Sequence, residues 1–422
     1  VEYYYSGRLS QHLLWLAALA GVVGLLASRA LVALSPVAGV VAALLNPHLR
    51  RDLAGYFRNG AAMRAAGMMF FLLLSSFYTS EWAVWRHEVF RSLTWLGVPL
   101  AFAVGVPLSG PQRRTVGALF VLGTAAVGLA TVGRYWLDPV SGNAAIHIGQ
   151  NVQAVTGIFH IFFGVMLALS VFWGGAMASK KALSYPLRWA LGGAAIVAAA
   201  ALHVLAYRTG LLVFYGGLLG CAGWLLLRRN LGLGLGLLLL LGLGPWVAYT
   251  QLESVRVRVN ATLYDMQQYE YEHDINNFSL SRRLTAAETA LAIIREHWLL
   301  GVGPADTHAA MREQYGWRDY GLRRANQADV HSQYLETLLG GGVVGLALWL
   351  AVVFWPLTQA WARRDAYLCL FILLQALTML ITDVLSLQIG LNLFVFGYGF
   401  LVVAGERRQL EAATSASSDT GP

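Results

Sequence analysis

Charge is what this sequence has least of. Asp, Glu, Lys and Arg make up 12% of its 422 residues, against about 25% in a soluble globular domain. Hydrophobic residues make up 57%, and the mean hydropathy is +0.56. A chain this apolar cannot hide its surface in one water-soluble core, so a soluble fold is excluded. Cysteine is nearly absent too. Cys221 and Cys369 both fall inside apolar runs, which excludes a disulfide framework in the polar segments. The alternating segments of about ten residues that mark a membrane β-barrel are also missing. The spans are therefore helices. The outer polar segments carry no Asp-x-Asp and no carboxylate pair with ligand spacing, so neither a metal nor a cofactor is expected.

What is present is a succession of apolar windows. A bilayer core about 30 Å thick needs about 20 mostly apolar residues per helix. Twelve windows fit: 11–28, 30–46, 61–79, 91–108, 115–133, 152–176, 189–206, 210–227, 231–250, 335–357, 366–384 and 389–404. The first lacks a small-residue cleavage site followed by soluble sequence and reads as a retained span. The expected fold is all-α, a polytopic bundle of about twelve transmembrane helices with one large periplasmic loop. Spans one to nine occupy 1–250, the loop 251–334, and spans ten to twelve 335–404. The Ser/Ala-rich tail, 405–422, reads as cytoplasmic and disordered.

Basic residues choose the orientation. With the N-terminus in the cytoplasm, the inner segments carry fifteen: Arg8, Arg50, Arg51, Arg58, Arg113, Arg114, Lys180, Lys181, Arg188, Arg228, Arg229, Arg363, Arg364, Arg407 and Arg408. The short outer loops carry five, at Arg29, Arg86, Arg91, Arg134 and Arg208. The net charge of +8 is mostly this topology signal and implies no nucleic acid.

The segment 251–330 lands outside, with nine basic and eleven acidic residues. Its length marks it as more than a connector. Leu284, Ala287, Leu291, Ile294 and Trp298 recur at steps of three and four, one face of an amphipathic helix. That face is expected to rest on the bundle or on the membrane surface. Leu300-Gly-Val-Gly-Pro304 breaks the helix. Asp265, Glu270, Glu272 and Asp274 read as a solvated acidic face. The alternating glycines after Leu231 and the Gly340-Gly341-Gly342 run read as helix packing or a flexible start to span ten. Among ionisable residues in the spans, Arg64 and His203 read as snorkelling near span ends, and His160 as a satisfied buried histidine. Asp383, near the outer end of span eleven, either pairs with an outer-face arginine or caps that turn.

His331 is the residue that most needs explaining. It sits where the polar loop re-enters the membrane through Asn326-Gln-Ala-Asp-Val-His331-Ser-Gln-Tyr334-Leu335. Cationic groups flank the same face. Arg208 is held in the short turn Tyr207-Arg208-Thr209. Arg282 and Arg283 open the amphipathic helix, whose N-terminus favours an anion. Arginine forks suit phosphate oxygens, with lipid-phosphate anchoring as the plainer alternative. Outside a bacterial inner membrane there is no ATP, so a transfer reaction needs a donor with its own leaving group, such as a polyprenyl diphosphate. Arginines would stabilise the departing charge. A histidine near neutral pKa would take a proton from the attacking hydroxyl.

Three stretches together resemble the O-antigen ligase and polymerase superfamily of bacterial envelope glycosyltransferases. They are Tyr207-Arg208-Thr209-Gly210; Ser281-Arg282-Arg283-Leu284 leading to Leu299-Leu300-Gly301-Val302-Gly303-Pro304; and His331-Ser332-Gln333-Tyr334-Leu335-Glu336. Ser332 stands where members often carry Asn. The resemblance implies a membrane glycosyltransferase-type bundle in the bacterial inner membrane. It implies inverting, metal-independent transfer of a polysaccharide from undecaprenyl diphosphate to a sugar hydroxyl of lipid A–core. By that analogy His331 activates the acceptor and Arg208 and Arg283, with Arg282 beside them, hold the diphosphate. Tyr334 and Asp383 would support the site. An O-antigen polymerase or a protein O-oligosaccharyltransferase would use the same donor. A lipid or glycan transporter would instead need repeated halves and a charged midplane path, and neither is visible.

Overall fold

The computed structural model describes residues 2–148, 150–271 and 274–418. The first half of the bundle comprises α1 (Arg8–Ala27), α2 (Arg29–Leu44), α3 (Gly60–Leu74), α4 (Thr94–Val104) and α5 (Gly110–Leu137). It continues with α6 (His160–Ala178), α7 (Tyr185–Val204), α8 (Arg208–Leu227) and α9 (Leu231–Gln251). The polar region folds as α10 (Glu253–Glu270), α11 (Ser279–Glu296) and α12 (Thr307–Trp317). The chain closes with α13 (Gln333–Phe354), α14 (Ala366–Ile381) and α15 (Gln388–Gly397), which runs on through a π-helical turn into Ala404–Ser418. It is an all-α, multi-pass membrane protein.

Each of the twelve apolar windows holds a helix, but fewer are full crossings. Among the described residues nine helices are long and apolar enough to span a membrane. A tenth would combine α2 with Leu49–Arg58, a pair bent by 120°. The 11-residue α4 and the 16-residue α14 fall short. The physical reason for α14 is at its ends. Asp365 caps it, accepting from the N–H groups of Tyr367 and Leu368, and Thr382 turns to extended backbone. Hydropathy averages over such breaks. The tail also departs from expectation, since the chain beyond Arg408 stays helical to Ser418. Its Ala-rich composition is helix-compatible.

The polar region builds its own small core. Ile275, Ala286, Ala290, Ile293, Met311, Tyr315 and Val330 pack on Leu339 of α13. The buried face of α11 is Ser281, Thr285, Ala286, Thr289, Ala290 and Ile293. Of the expected stripe only Ile294 is buried; Leu284, Leu291 and Trp298 are exposed. Small side chains let α11 approach its neighbours closely, and that outweighs the bulk of the leucines. The stripe therefore does not rest on the bundle.

Span ten begins with a break. Gly342 has φ 58° and ψ −162° inside α13, a conformation that only glycine adopts readily. A Cβ there would sit 2.2 Å from the Leu299 carbonyl oxygen. The freed backbone pairs with the 298–303 segment. Val302 and Gly303 donate to the carbonyls of Leu339 and Gly340 at 2.9 Å, and Val343 donates to Trp298 at 2.9 Å. The glycine run thus joins the loop to the span at a fixed place. It also packs closely, since a Cβ on Gly340 would meet Thr307 and one on Gly341 would meet Phe71, each at 3.0 Å, and it is no flexible lead-in.

Candidate active site

His331 is positioned by the residues after it. The Ser332 hydroxyl donates to the Met379 carbonyl, and the Tyr334 hydroxyl to that of Ala376, each at 3.2 Å. The Gln333 N–H donates to the Thr382 carbonyl at 3.2 Å, and its side-chain oxygen accepts from Leu385 N–H at 2.8 Å. The first turn of α13 is thereby strapped to the end of α14. Tyr334 acts in that strap through its hydroxyl. Nδ1 of His331 lies 2.7 Å from the Asp329 carbonyl oxygen. A carbonyl only accepts, so Nδ1 carries the proton and the Nε2 lone pair is left open. The orienting partner is this carbonyl, which a Ser at 332 leaves untouched. Burial and the nearby Arg283 guanidinium hold the imidazole pKa below its ordinary value.

Arg283 lies within electrostatic reach of His331, Arg208, Asp265 and Asp383. Its Nη1 makes only a long contact, 3.4 Å, to the Ile381 carbonyl. Arg282 points elsewhere and donates through Nε to the Asn326 carbonyl at 2.9 Å. One turn of helix therefore separates the adjacent arginines by about 100° and gives them different neighbours. Asp383 sits on the arginine side, and its electrostatic neighbours include Arg283 and His331. Arg208 opens α8 after a turn in which Ala206 takes φ 47°. The Tyr207 hydroxyl pins that turn to the Val152 carbonyl at 2.7 Å.

The structure adds a cation that sequence reasoning missed. Arg258 of α10 is 3% exposed and lies within electrostatic reach of Arg208. Its Nη2 donates to the Gln150 carbonyl at 2.7 Å and to Asn151 Oδ1 at 2.9 Å. Nδ2 of Asn151 in turn lies 3.0 Å from His160 Nε2. Nε and Nη1 of Arg258 are buried without a hydrogen-bond partner among the described residues. Burial, with Arg208 close by, pushes its pKa down to about 10. Only a weak signal pointed to it: Ser254, Val255, Arg258 and Asp265 share one helix face.

Asp265 is the second residue read differently. It is buried, and its carboxylate accepts from the N–H groups of Leu280 and Ser281 at 2.7 and 2.9 Å and from the Ser281 hydroxyl at 2.5 Å. The N-terminus of α11 already has its anion, so the free N–H site expected there is filled. Glu270 is exposed and Asp274 pairs with Arg323 at 2.8 Å, whereas Glu272 lies outside the described residues. Of the other ionisable residues, His203 is held by the Tyr215 hydroxyl and the Ala199 carbonyl, both at 2.7 Å. Arg64 pairs with Glu406 at 3.5 Å. Neither snorkels.

Arg208, Arg258 and Arg283 converge with no carboxylate within 4 Å among the described residues. The more distant aspartates reach two of the three cations, Asp265 acting on Arg208 and both Asp265 and Asp383 on Arg283. That imbalance suits an anion with several oxygens. Among the described residues no three His, Cys, Asp or Glu side chains gather as a metal site. A cavity of about 180 Å³ lies beside the first turn of α13, lined by Thr307, His308, Gln333 and Glu336 among others. His308 pairs there with Asp329 at 2.7 Å, which raises its pKa.

No curated protein matches the chain. Residues 193–350 match the family model described as O-Antigen ligase. The matched stretch contains Arg208, Arg258, Arg283 and His331, together with the three helices of the polar region. This multi-pass membrane protein thus carries, over residues 193–350, a segment similar to the O-antigen ligase family, which supports a function of the ligase or polymerase type.

Proposed function

We propose that the protein transfers a polysaccharide from undecaprenyl diphosphate to a sugar hydroxyl of lipid A–core at the periplasmic face of the bacterial inner membrane. The observation that carries this reading is the group of three arginines without close counter-ions beside a histidine with an open Nε2. The diphosphate supplies the missing negative charge, held by Arg208, Arg258 and Arg283. His331 Nε2 takes the proton of the acceptor hydroxyl as its oxygen bonds to the anomeric carbon. The bond from that carbon to the diphosphate oxygen breaks, and the electron pair leaves with the diphosphate. The arginines stabilise that developing charge. Attack from the face opposite the leaving group inverts the anomeric centre. No metal is needed for this charge balance. Arg282 and Tyr334 act by holding the loop and span in place, and Asp383 balances Arg283.

The test is a reconstituted assay with undecaprenyl-diphosphate-linked glycan and lipid A–core. Glycan appearing on lipid A–core, dependent on His331, is the expected result. Lengthening of donor chains instead would make the protein a polymerase. Transfer to an added acceptor protein would make it an oligosaccharyltransferase. No transfer to any acceptor would overturn the reading and favour a transporter.

A further inference from the structure

A second cationic site lies at the other end of the bundle. Helix α6 shows the separation: His160, at its start, belongs to the arginine cluster, whereas Met177, near its end, lines a cavity of about 410 Å³. Seventeen residues at 1.5 Å each place them about 26 Å apart. The cavity lies between α1, α5, α6, α14 and α15, and its volume is that of a ligand pocket.

Its chemistry is split. Arg113, Arg114 and Arg408 line one end with a single carboxylate, Asp365, so the lining carries three positive charges less one, or +2. That carboxylate is already engaged in capping α14. Neither Arg113 nor Arg408 donates a hydrogen bond to the protein among the described residues, and Nε of Arg113 is buried without a partner. The neighbouring Arg407 is the contrast, tied to Asp52, Glu411 and the Gly105 carbonyl. Deeper in, the walls are Phe120, Trp173 and Phe371, with ring centroids 5.2 and 6.4 Å apart in succession. The indole N–H of Trp173 is spent on the Tyr367 carbonyl, so the walls there are apolar.

We infer that this cavity binds one anionic phospholipid, its phosphate on Arg113 and Arg408 and an acyl chain among the aromatic rings. Unpaired guanidinium forks match phosphate oxygens, and basic pockets between membrane helices on the cytoplasmic side bind lipid headgroups. This is the end that the basic residues assign to the cytoplasm. The inference does not depend on the transfer reaction.

Delipidated full-length protein in detergent would be titrated with dioleoyl phosphatidylglycerol or dioleoyl phosphatidylcholine and read by native mass spectrometry. One phosphatidylglycerol per chain should be retained, about tenfold more tightly than phosphatidylcholine. R113Q/R408Q should abolish that preference. Gly117→Leu fills the cavity from its wall; a Cβ there meets only Met177, at 3.5 Å and beyond. It should lose both lipids while keeping the wild-type unfolding temperature, which keeps the test open should the double variant misfold. Equal retention of the two lipids, or unchanged binding in folded R113Q/R408Q or Gly117→Leu, would overturn the inference. So would displacement of phosphatidylglycerol by stoichiometric polyprenyl monophosphate, which would name a different occupant, or by millimolar inorganic phosphate alone.

Discussion

The imidazole Nδ1 of His331 is 2.7 Å from the carbonyl oxygen of Asp329, two residues before it. This local contact decides which ring nitrogen is open, and it costs no side chain from elsewhere. His331→Ala should reduce transfer by about 10²- to 10⁴-fold, the usual contribution of a general base. Membrane insertion should be unchanged, because the strap of Ser332, Gln333 and Tyr334 remains. Activity within threefold of wild type would remove His331 as the base.

The same histidine sets a pH dependence. Its pKa is held down by burial first and by Arg283 second. Transfer should therefore rise with pH through a midpoint below the ordinary histidine value of about 6.5 and be level at neutrality. Arg283→Gln removes a positive neighbour, so the midpoint of its residual activity should move to higher pH. A midpoint that stays put in the variant would separate the two residues.

Arg208→Lys keeps the charge and loses the fork. If the diphosphate is gripped by two parallel hydrogen bonds, kcat/KM should fall about tenfold or more. A fully active lysine variant would return Arg208 to simple lipid anchoring.

Arg258 is the position the structure contributes. Arg258→Gln should weaken donor use by about 10- to 100-fold, the scale of a lost hydrogen bond to a charged group. The KM for acceptor should stay near wild type. An equal rise for both substrates would mean that Arg258 braces the fold through Asn151 and does not meet the donor.

Two buried carboxylates hold the polar region. Asp265→Ala leaves the first N–H groups of α11 without their acceptor and should cost about 1–3 kcal/mol locally. Faster amide exchange over 279–290 than in wild type is the expected readout, and unaltered exchange would refute the cap.

Asp306 accepts from the Thr79 and Ser80 hydroxyls and from the N–H groups of Ser80 and Glu81. Burial alone would raise its pKa, but these bonds outweigh burial and hold it below the ordinary carboxylate value. A depressed folded pKa stabilises above the unfolded value and is lost as pH falls through the folded one. The thermal midpoint should thus drop in acid, below about pH 4, and Asp306→Asn should flatten that drop while lowering the midpoint at pH 7. A variant with the wild-type pH slope would assign the drop to other groups.

Much of this protein was legible in one dimension. Scarce charge and long apolar windows determined the class, because lipid leaves helices as the only spanning form for such a pattern. The positions of Arg208, Arg283 and His331 were visible because Arg208 breaks an apolar background, Arg283 opens an amphipathic helix and His331 stands where the polar loop re-enters the membrane. Local periodicity also announced α11. It could not say which face would be buried, since Leu284 and Leu291 are as apolar as any core residue and the close contact was made by Ser281, Ala286 and Ala290. Nor could it separate Arg282 from Arg283. That distinction depends on what the helix docks against, Asn326 on one side and the end of α14 on the other. Arg258 enters the cluster through partners more than a hundred residues away, at Gln150 and Asn151. The sequence by itself determined the helices, their order and the ionisable residues that needed explaining. Only the tertiary structure decided which of those charges meet, because that depends on packing between segments with no local signal for one another.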